Sequence, residues 1–150
     1  MGKLALTGSA TYIAEYLARL DASAEELDLA GTFRDEASEG LGGIPEWKGQ
    51  LGLRWNRNRW QASYDIHFAG EMREVVPGTD RRRTIDGWAV HDVQLNHTFD
   101  VLEGLRWSIG VDNVLDEHAP LAASAFNDNI DGRTHELKGR YWYTKLSQRF

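Results

Sequence analysis

The feature that most constrains the fold is a period-two alternation of apolar and polar residues, which recurs in six segments of the 150-residue chain. Alternation with this period is typical of a β-strand that has one face in an apolar environment. The segments are residues 4–16, 47–55, 60–68, 89–99, 105–112 and 141–150. We therefore expect an all-β protein built from six antiparallel strands.

Charged residues avoid one face of every segment. In the register that best separates the faces, the apolar faces hold 32 positions without Asp, Glu, Lys or Arg, whereas the opposite faces hold 28 positions with nine charged residues. At the chain's 27% charged residues, about nine would be expected on the apolar faces too. A Lys or Arg on a lipid-facing strand costs about 2–4 kcal/mol at mid-bilayer, so a membrane would enforce this pattern.

The positions of the aromatic residues separate two all-β architectures. A soluble antiparallel β-sandwich would also have apolar inner faces, but it would bury its rings centrally. Here six rings lie at or near segment ends: Trp47, Trp55, Trp60, Phe99, Trp107 and Phe150. Rings at strand ends are typical of the interfacial girdles of transmembrane β-barrels, so this placement favours a membrane barrel.

Short and long connections alternate along the chain. Two connections are short, residues 56–59 and 100–104. Three are long and rich in Gly, Asp, Glu and Arg: residues 17–46, 69–87 and 112–139. If the strands run up and down, the long connections share one rim, as the extracellular loops of outer-membrane barrels do.

The stretch from Tyr12 to Leu29 has two interpretations. Its Ala, Leu and Glu residues are good helix formers, so an amphipathic helix fits it. A strand that runs on into a loop also fits, and we expect this second arrangement.

Composition and missing motifs exclude several functions. The net charge of −6 and the pI near 5.3 argue against nucleic-acid binding, which needs a basic face. The absence of Cys excludes disulfides and thiolate metal sites. The sequence shows no Ser/His/Asp arrangement, no paired carboxylates at helical spacing and no Gly-rich phosphate loop, so we expect neither an enzyme nor a cofactor.

We expect no metal site either. Of the five histidines, His67, His91, His97, His118 and His135, only His91 and His97 share a face, six residues apart. Residues 127–132 begin like a calcium-binding loop, but the twelfth position is Lys138, where a bidentate Glu is required. We interpret this run as an Asx-rich loop turn.

One run of basic residues is a candidate ligand-binding site. Arg81, Arg82 and Arg83 lie at the tip of the second long connection. They could contact an anionic ferric chelate or a lipopolysaccharide phosphate, and a solvated charge cluster is the alternative.

The polar faces of the strands also carry charges of both signs. We expect these residues to form cross-strand charge pairs that line a polar lumen: Arg54, Asp65, Asp92 and Arg106.

Motifs along the chain resemble those of TonB-dependent receptors. Residues 110–116, Gly-Val-Asp-Asn-Val-Leu-Asp, followed by Pro120, are similar to that family's penultimate-strand motif, with Val-Leu in place of the usual Leu-Phe. Residues 139–150 are similar to its closing strand, which opens with Gly-Arg and ends with Phe. Residues 44–49 and 90–95 resemble further segments of the family's closing third.

The resemblance implies that residues 1–150 are the C-terminal part of a barrel of about 22 strands in the bacterial outer membrane, with the plug domain and the earlier strands absent. It implies active uptake of a scarce nutrient such as a ferric siderophore. The implied partners are outer-membrane lipid, the remainder of the barrel with its plug, the barrel-assembly machinery, and the TonB energy-coupling complex acting through the plug.

In the closing strand, the resemblance implies that Trp142, Leu146 and Phe150 serve barrel insertion and closure. Two alternatives remain open. One is a small complete barrel or a dimer of six-stranded halves that acts as a pore or adhesin. The other is a soluble β-sandwich that acts as a binding module.

Overall fold

The regular structure of the described residues consists of β-strands alone. The computed structural model describes residues 2–19, 22–34, 42–100, 104–126 and 128–148. Its strands are β1 (Lys3–Tyr12), β2 (Leu17–Ala18), β3 (Leu27–Asp28), β4 (Trp47–Arg57), β5 (Trp60–Ala69), β6 (Met72–Val75), β7 (Arg82–Ile85), β8 (Trp88–Thr98), β9 (Arg106–Asp112) and β10 (Tyr141–Ser147). The all-β prediction is therefore confirmed.

The stretch after Tyr12 contains the β2–β3 hairpin, so the helical interpretation of this stretch is wrong for the residues that are described. The first predicted segment also ends as a strand at Tyr12 rather than at Tyr16. Across the described ranges, no helix has the length and apolar character needed to cross a membrane.

Six strands form one antiparallel sheet in the order β1-β4-β5-β8-β9-β10. They correspond to the six segments predicted from the alternation. Asn58, with a φ of 53°, makes the tight turn between β4 and β5. Within the described residues, β1 pairs only with β4 and β10 only with β9, so this sheet is open at both edges.

The register of the sheet joins the six apolar faces into one surface. Residues directly opposite each other in antiparallel strands point to the same side. One such row runs across all six strands through Leu6, Leu53, Tyr64, Val93, Val111 and Trp142. We call the side that carries this row the outer face.

The outer face is not covered by a second layer of the described chain. Leu6 and Trp142 are 69% and 65% exposed. A β-sandwich would pack a second sheet against these residues. The only other sheets among the described residues are two-stranded hairpins, β2–β3 and β6–β7, so the sandwich alternative does not fit.

Two pairs of polar groups on the outer face bind to each other. The Tyr64 hydroxyl lies 2.6 Å from Nδ1 of His91 on the neighbouring strand. Trp107 Nε1 donates a hydrogen bond of 2.8 Å to the hydroxyl of Thr144. Because an unpaired polar group in hydrocarbon costs several kcal/mol, these hydrogen bonds lower the free-energy cost of placing the four side chains in lipid.

The three long loops lie at one rim, which we call the loop rim. Loop 1 (residues 13–46) contains β2–β3, loop 2 (residues 70–87) contains β6–β7, and loop 3 comprises residues 113–140. The loops pack around a small apolar cluster of Phe33, Met72, Ile85 and Ala122. Thr32 bridges to Arg73, which joins loop 1 to loop 2. The loop rim is thus a folded layer with its own core.

Two glycines of the sheet are covered by aromatic rings from the neighbouring strand. The ring of Phe68 lies across Gly49, and the ring of Tyr143 lies across Gly110, to which it is paired in the register. A Cβ at either glycine would overlap the ring. These positions therefore need glycine for close packing.

Replacing Gly110 by Ala is expected to destabilise the sheet by about 1–3 kcal/mol, because the new methyl group displaces the Tyr143 ring. Gly8→Ala is the control, since its Cβ would lie 3.3 Å from the flexible end of Leu51 and 3.6 Å from the Gln50 carbonyl oxygen, without overlap. The measurement is the urea midpoint of tryptophan fluorescence for the full chain in detergent micelles. Equal midpoints for the two variants would contradict the packing argument.

Candidate functional site

The side of the sheet opposite the outer face, the inner face, carries the predicted charge pairs. Arg54 Nη1 lies 2.7 Å from Asp65 Oδ1, between adjacent strands β4 and β5, which confirms this pair. Gly52 stands opposite Asp65, and a Cβ there would lie 2.9 Å from the same oxygen. The glycine thus leaves room for the ion pair. Because Arg54 is nearly half exposed, the pair contributes at most about 1 kcal/mol.

The other two predicted charges on the inner face have different partners. Asp92 accepts a hydrogen bond of 2.8 Å from the backbone N–H of Asn113 and lies 3.7 Å from the His67 ring. Arg106 donates a hydrogen bond of 2.7 Å to the amide oxygen of Gln61 rather than to a carboxylate. The prediction that Arg106 forms a cross-strand pair with a residue of opposite charge is therefore wrong. The inner face is nevertheless a hydrophilic surface.

A buried carboxylate joins two loops at the loop rim. Glu74 in β6 is only 2% exposed. Its two oxygens accept hydrogen bonds of 2.9 Å from the backbone N–H groups of Ala123 and Ser124, and the Ser124 hydroxyl donates a third, of 2.7 Å. Arg83 Nε lies 3.1 Å from the same carboxylate. A buried charge needs such partners, and here they connect loop 2 to loop 3.

The three predicted ligand-binding arginines have three different surroundings. Arg83 pairs with Glu74 and donates a hydrogen bond of 2.8 Å to the carbonyl of Leu121, so it supports the loops. Arg82 lines a cavity between loops 1 and 2. Arg81 is exposed just before β7. Successive residues of a strand point to opposite sides, which separates Arg82 from Arg83.

A second carboxylate joins loop 3 to loop 1. Asp131 accepts a hydrogen bond of 2.7 Å from the Gly43 N–H, and further ones from the N–H groups of Arg133 and Thr134. Burial alone would raise its pKa, but hydrogen bonds from Thr134, Gly43 and Arg133 together lower the pKa of Asp131 below its ordinary value.

The residues before Asp131 support the predicted Asx-rich turn. Asp128 and Asn129 both have a φ of 53°, a left-handed conformation that Asp and Asn tolerate. Asn127 lies outside the described residues.

His135 is a buried histidine that sequence reasoning did not single out. It is 2% exposed, and its ring meets Trp88 edge-on with the ring centroids 5.6 Å apart. Neither of its ring nitrogens has a hydrogen-bond partner among the described residues. Burial lowers the pKa of His135, and Lys48 adds to this effect while Asp131 opposes it. No periodic pattern marks a single loop residue, so no local signal could have revealed it.

Two other histidines lie on the outer face among aromatic rings. His91 stacks on Tyr64, and His97 lies between Trp60 and Phe99, with ring centroids 4.2 and 4.8 Å away. Over the described ranges, no three His, Asp or Glu side chains come together in a way that could hold a metal ion.

Two of the residues predicted to serve insertion and closure, Trp142 and Leu146, belong to the last strand. Trp142 and Leu146 lie on the outer face of β10, opposite Val111 and Trp107. Both are exposed at the open edge of the sheet. Phe150 lies outside the described residues.

Replacing Glu74 by Ala is expected to loosen loop 3 by about 3 kcal/mol, because two backbone N–H groups and Arg83 lose their buried partner. Hydrogen–deuterium exchange of the Ala123 and Ser124 amides should accelerate. Glu71→Ala, a change at an exposed position next to β6, is the matched control. Unchanged exchange in Glu74→Ala would show that the carboxylate does not hold the two loops together.

Acidification is expected to weaken the packing of loop 3. The pKa of His135 lies below its ordinary value of 6.5, so the folded state favours the neutral ring. Its stabilising contribution is therefore full above pH 6.5 and is lost as the pH falls below that value.

The urea midpoint should consequently decrease when the pH is lowered from about 7.5 to about 5.5. The fall should be smaller in His135→Phe, which keeps a ring against Trp88 and cannot be protonated. His118→Phe changes an exposed histidine of the same loop and should behave as the wild type. A fall of the same size in all three proteins would count against a role for His135.

Comparison with known proteins agrees with this geometry. The chain matches the family described as TonB dependent receptor-like, β-barrel, over residues 3–114. This range contains five of the six strands of the main sheet, from β1 to β9. No curated protein and no solved structure matches the chain. Since the match covers well over half of the sequence, the chain belongs to the TonB-dependent receptor-like β-barrel family.

Proposed function

We propose that the chain forms part of the wall of a bacterial outer-membrane transporter that uses TonB-coupled energy to take up a scarce nutrient such as a ferric siderophore. The observation that carries this proposal is the continuous outer face, on which the row from Leu6 to Trp142 contains no charged residue. Membership of the TonB-dependent receptor-like family supports an outer-membrane transport role.

The strand lengths support contact with outer-membrane lipid. A transmembrane strand needs about 9–11 residues at the usual tilt. The four strands β1, β4, β5 and β8 have 10, 11, 10 and 11 residues. They are thus long enough to cross the hydrocarbon layer, with the loop rim on one side and the short turns on the other.

The open edges of the sheet support pairing with further strands. An edge in lipid leaves backbone N–H and C=O groups unpaired, and the smallest single-chain barrels have about eight strands. We therefore propose that the remainder of the barrel pairs with β1 and β10. The hydrophilic inner face, with Arg54, Asp65 and Arg106, would face the plug domain, through which the TonB energy-coupling complex acts.

The exposed apolar residues of β10 support a role in assembly. Trp142 and Leu146 lie on the same face of the strand, four residues apart, at the open edge of the sheet. We propose that they, together with Phe150, are recognised by the barrel-assembly machinery and then contribute to barrel closure.

Arg81 and Arg82 remain proposed contacts for an anionic ligand at the extracellular side, whereas Arg83 is paired with Glu74.

A pair of neighbouring substitutions tests the membrane assignment. Leu51→Arg places a charge near the middle of the outer face and should cost about 2–4 kcal/mol of insertion free energy. Gln50→Arg places the same charge one residue earlier, on the inner face. With each variant carried in the whole reading frame, the folded protein in outer-membrane fractions should fall for Leu51→Arg alone. Equal amounts of the two folded variants in the outer-membrane fractions would contradict the assignment of the outer face to lipid.

The same two variants test transport. In cells starved of iron, uptake of radiolabelled ferric siderophore should depend on the reading frame, stop when a protonophore is added, and follow the amount of folded protein. A dimeric pore or adhesin would give uptake that the protonophore does not stop, or none. Siderophore uptake that persists after deletion of the reading frame would refute the proposed substrate.

A further inference from the structure

An arginine-lined cavity lies between loops 1 and 2. It has a volume of about 240 Å³, and its charged lining comprises Arg34, Arg73, Arg82, Asp28 and Glu74. Backbone bonds hold this region together: Arg73 donates to the Gly31 carbonyl at 2.8 Å, and its own carbonyl accepts from the Phe33 N–H at 2.9 Å. The cavity therefore belongs to a built junction between the two loops.

Both carboxylates of the lining are already occupied. Asp28 accepts hydrogen bonds of 3.0 Å from the backbone N–H groups of Tyr16 and Ala30. Glu74 is engaged by loop 3 and by Arg83, which lies outside the lining. Both acids keep their charge, and Arg73 acts electrostatically on Asp28. The lining nevertheless holds three arginines against two carboxylates, and one of these, Glu74, is paired with Arg83 outside the lining.

The three arginine side chains are by contrast exposed. Neither Arg34 nor Arg82 makes an ion pair with another described residue, and both are exposed. Arg73 lies 4.0 Å from Glu46, at the limit of an ion pair, and its side chain is 68% exposed. Three arginines therefore line one small space and outnumber its two carboxylates.

We propose that this cavity binds a phosphate group through Arg34, Arg73 and Arg82. Guanidinium groups bind phosphate oxygens through two parallel hydrogen bonds, and several around one group give both affinity and orientation. The cavity is smaller than the roughly 300–1,000 Å³ of pockets that enclose drug-sized molecules. It suits one phosphate group, either a free anion or the headgroup of a phosphomonoester lipid, rather than a whole metal chelate.

This site does not depend on which nutrient the barrel transports. It lies between two loops and uses none of the outer-face residues on which the transport proposal rests. A variant that loses phosphate binding but inserts normally would therefore bear on the phosphate site alone. A variant that binds phosphate but fails to insert would bear on the transport proposal alone.

The test measures binding of inorganic phosphate to the full chain in detergent micelles by isothermal titration calorimetry. Binding should weaken as salt is raised. Arg82→Gln should lower the affinity about tenfold or more, since it removes charge-assisted hydrogen bonds. Arg82→Lys keeps the positive charge but loses the planar guanidinium group, so its phosphate affinity should lie between those of the wild type and Arg82→Gln.

Arg57→Gln is the control, because Arg57 is an exposed arginine at the end of β4 and does not line the cavity. Its affinity should equal that of the wild type. An equal loss in Arg57→Gln and Arg82→Gln would overturn the proposal, because it would indicate general attraction to positive charge. Intact β-sheet circular dichroism in each variant excludes unfolding as the cause of a loss.

A second arm separates the two sources of phosphate. Short-chain phosphatidic acid and phosphatidylcholine are added to the micelles in place of the free anion. Arg82-dependent binding of phosphatidic acid alone identifies a lipid headgroup, and Arg82-dependent binding of inorganic phosphate identifies a free anion. Absence of Arg82-dependent binding in both arms would refute the site.

Discussion

The register of the backbone hydrogen bonds across the six-stranded sheet is the constraint on which the rest of the structure depends. In hydrocarbon, each strand must satisfy its backbone groups through its neighbours, so the register also decides which side chains share a face. A slip of one residue between β4 and β5 would bring Arg54 and Lys48 to the outer face. The same register fixes where each strand leaves the sheet, and hence where the loops begin.

The sheet could be predicted from the sequence because its signal is local and repeated. Alternation within each strand identifies the face, and six strands carry the same signal independently. The Arg54–Asp65 pair followed directly, since it needs only correct faces and adjacent strands. Arg106 was mispredicted because its nearest acceptor is the amide of Gln61, and charge alone does not distinguish an amide from a carboxylate.

The loop rim could not be predicted in the same way. Its defining contacts join residues far apart in the chain, such as Gly43 with Asp131, 88 positions away, and Glu74 with Ser124, 50 positions away. Neither contact leaves a periodic trace in the sequence. The surroundings of Arg81, Arg82 and Arg83 could not be predicted for the same reason. The three arginines are adjacent in the sequence, and their contacts differ only once loops 1, 2 and 3 have packed.

The tie between Glu74 and loop 3 has a mechanical consequence. One carboxylate holds both the β6–β7 hairpin and the backbone at Ala123 and Ser124. A displacement of this hairpin therefore also moves the facing segment of loop 3, and the two are expected to move together as one unit. The rim consequently has fewer independent motions than it has loops, and a molecule that engages one of the coupled loops also repositions the other.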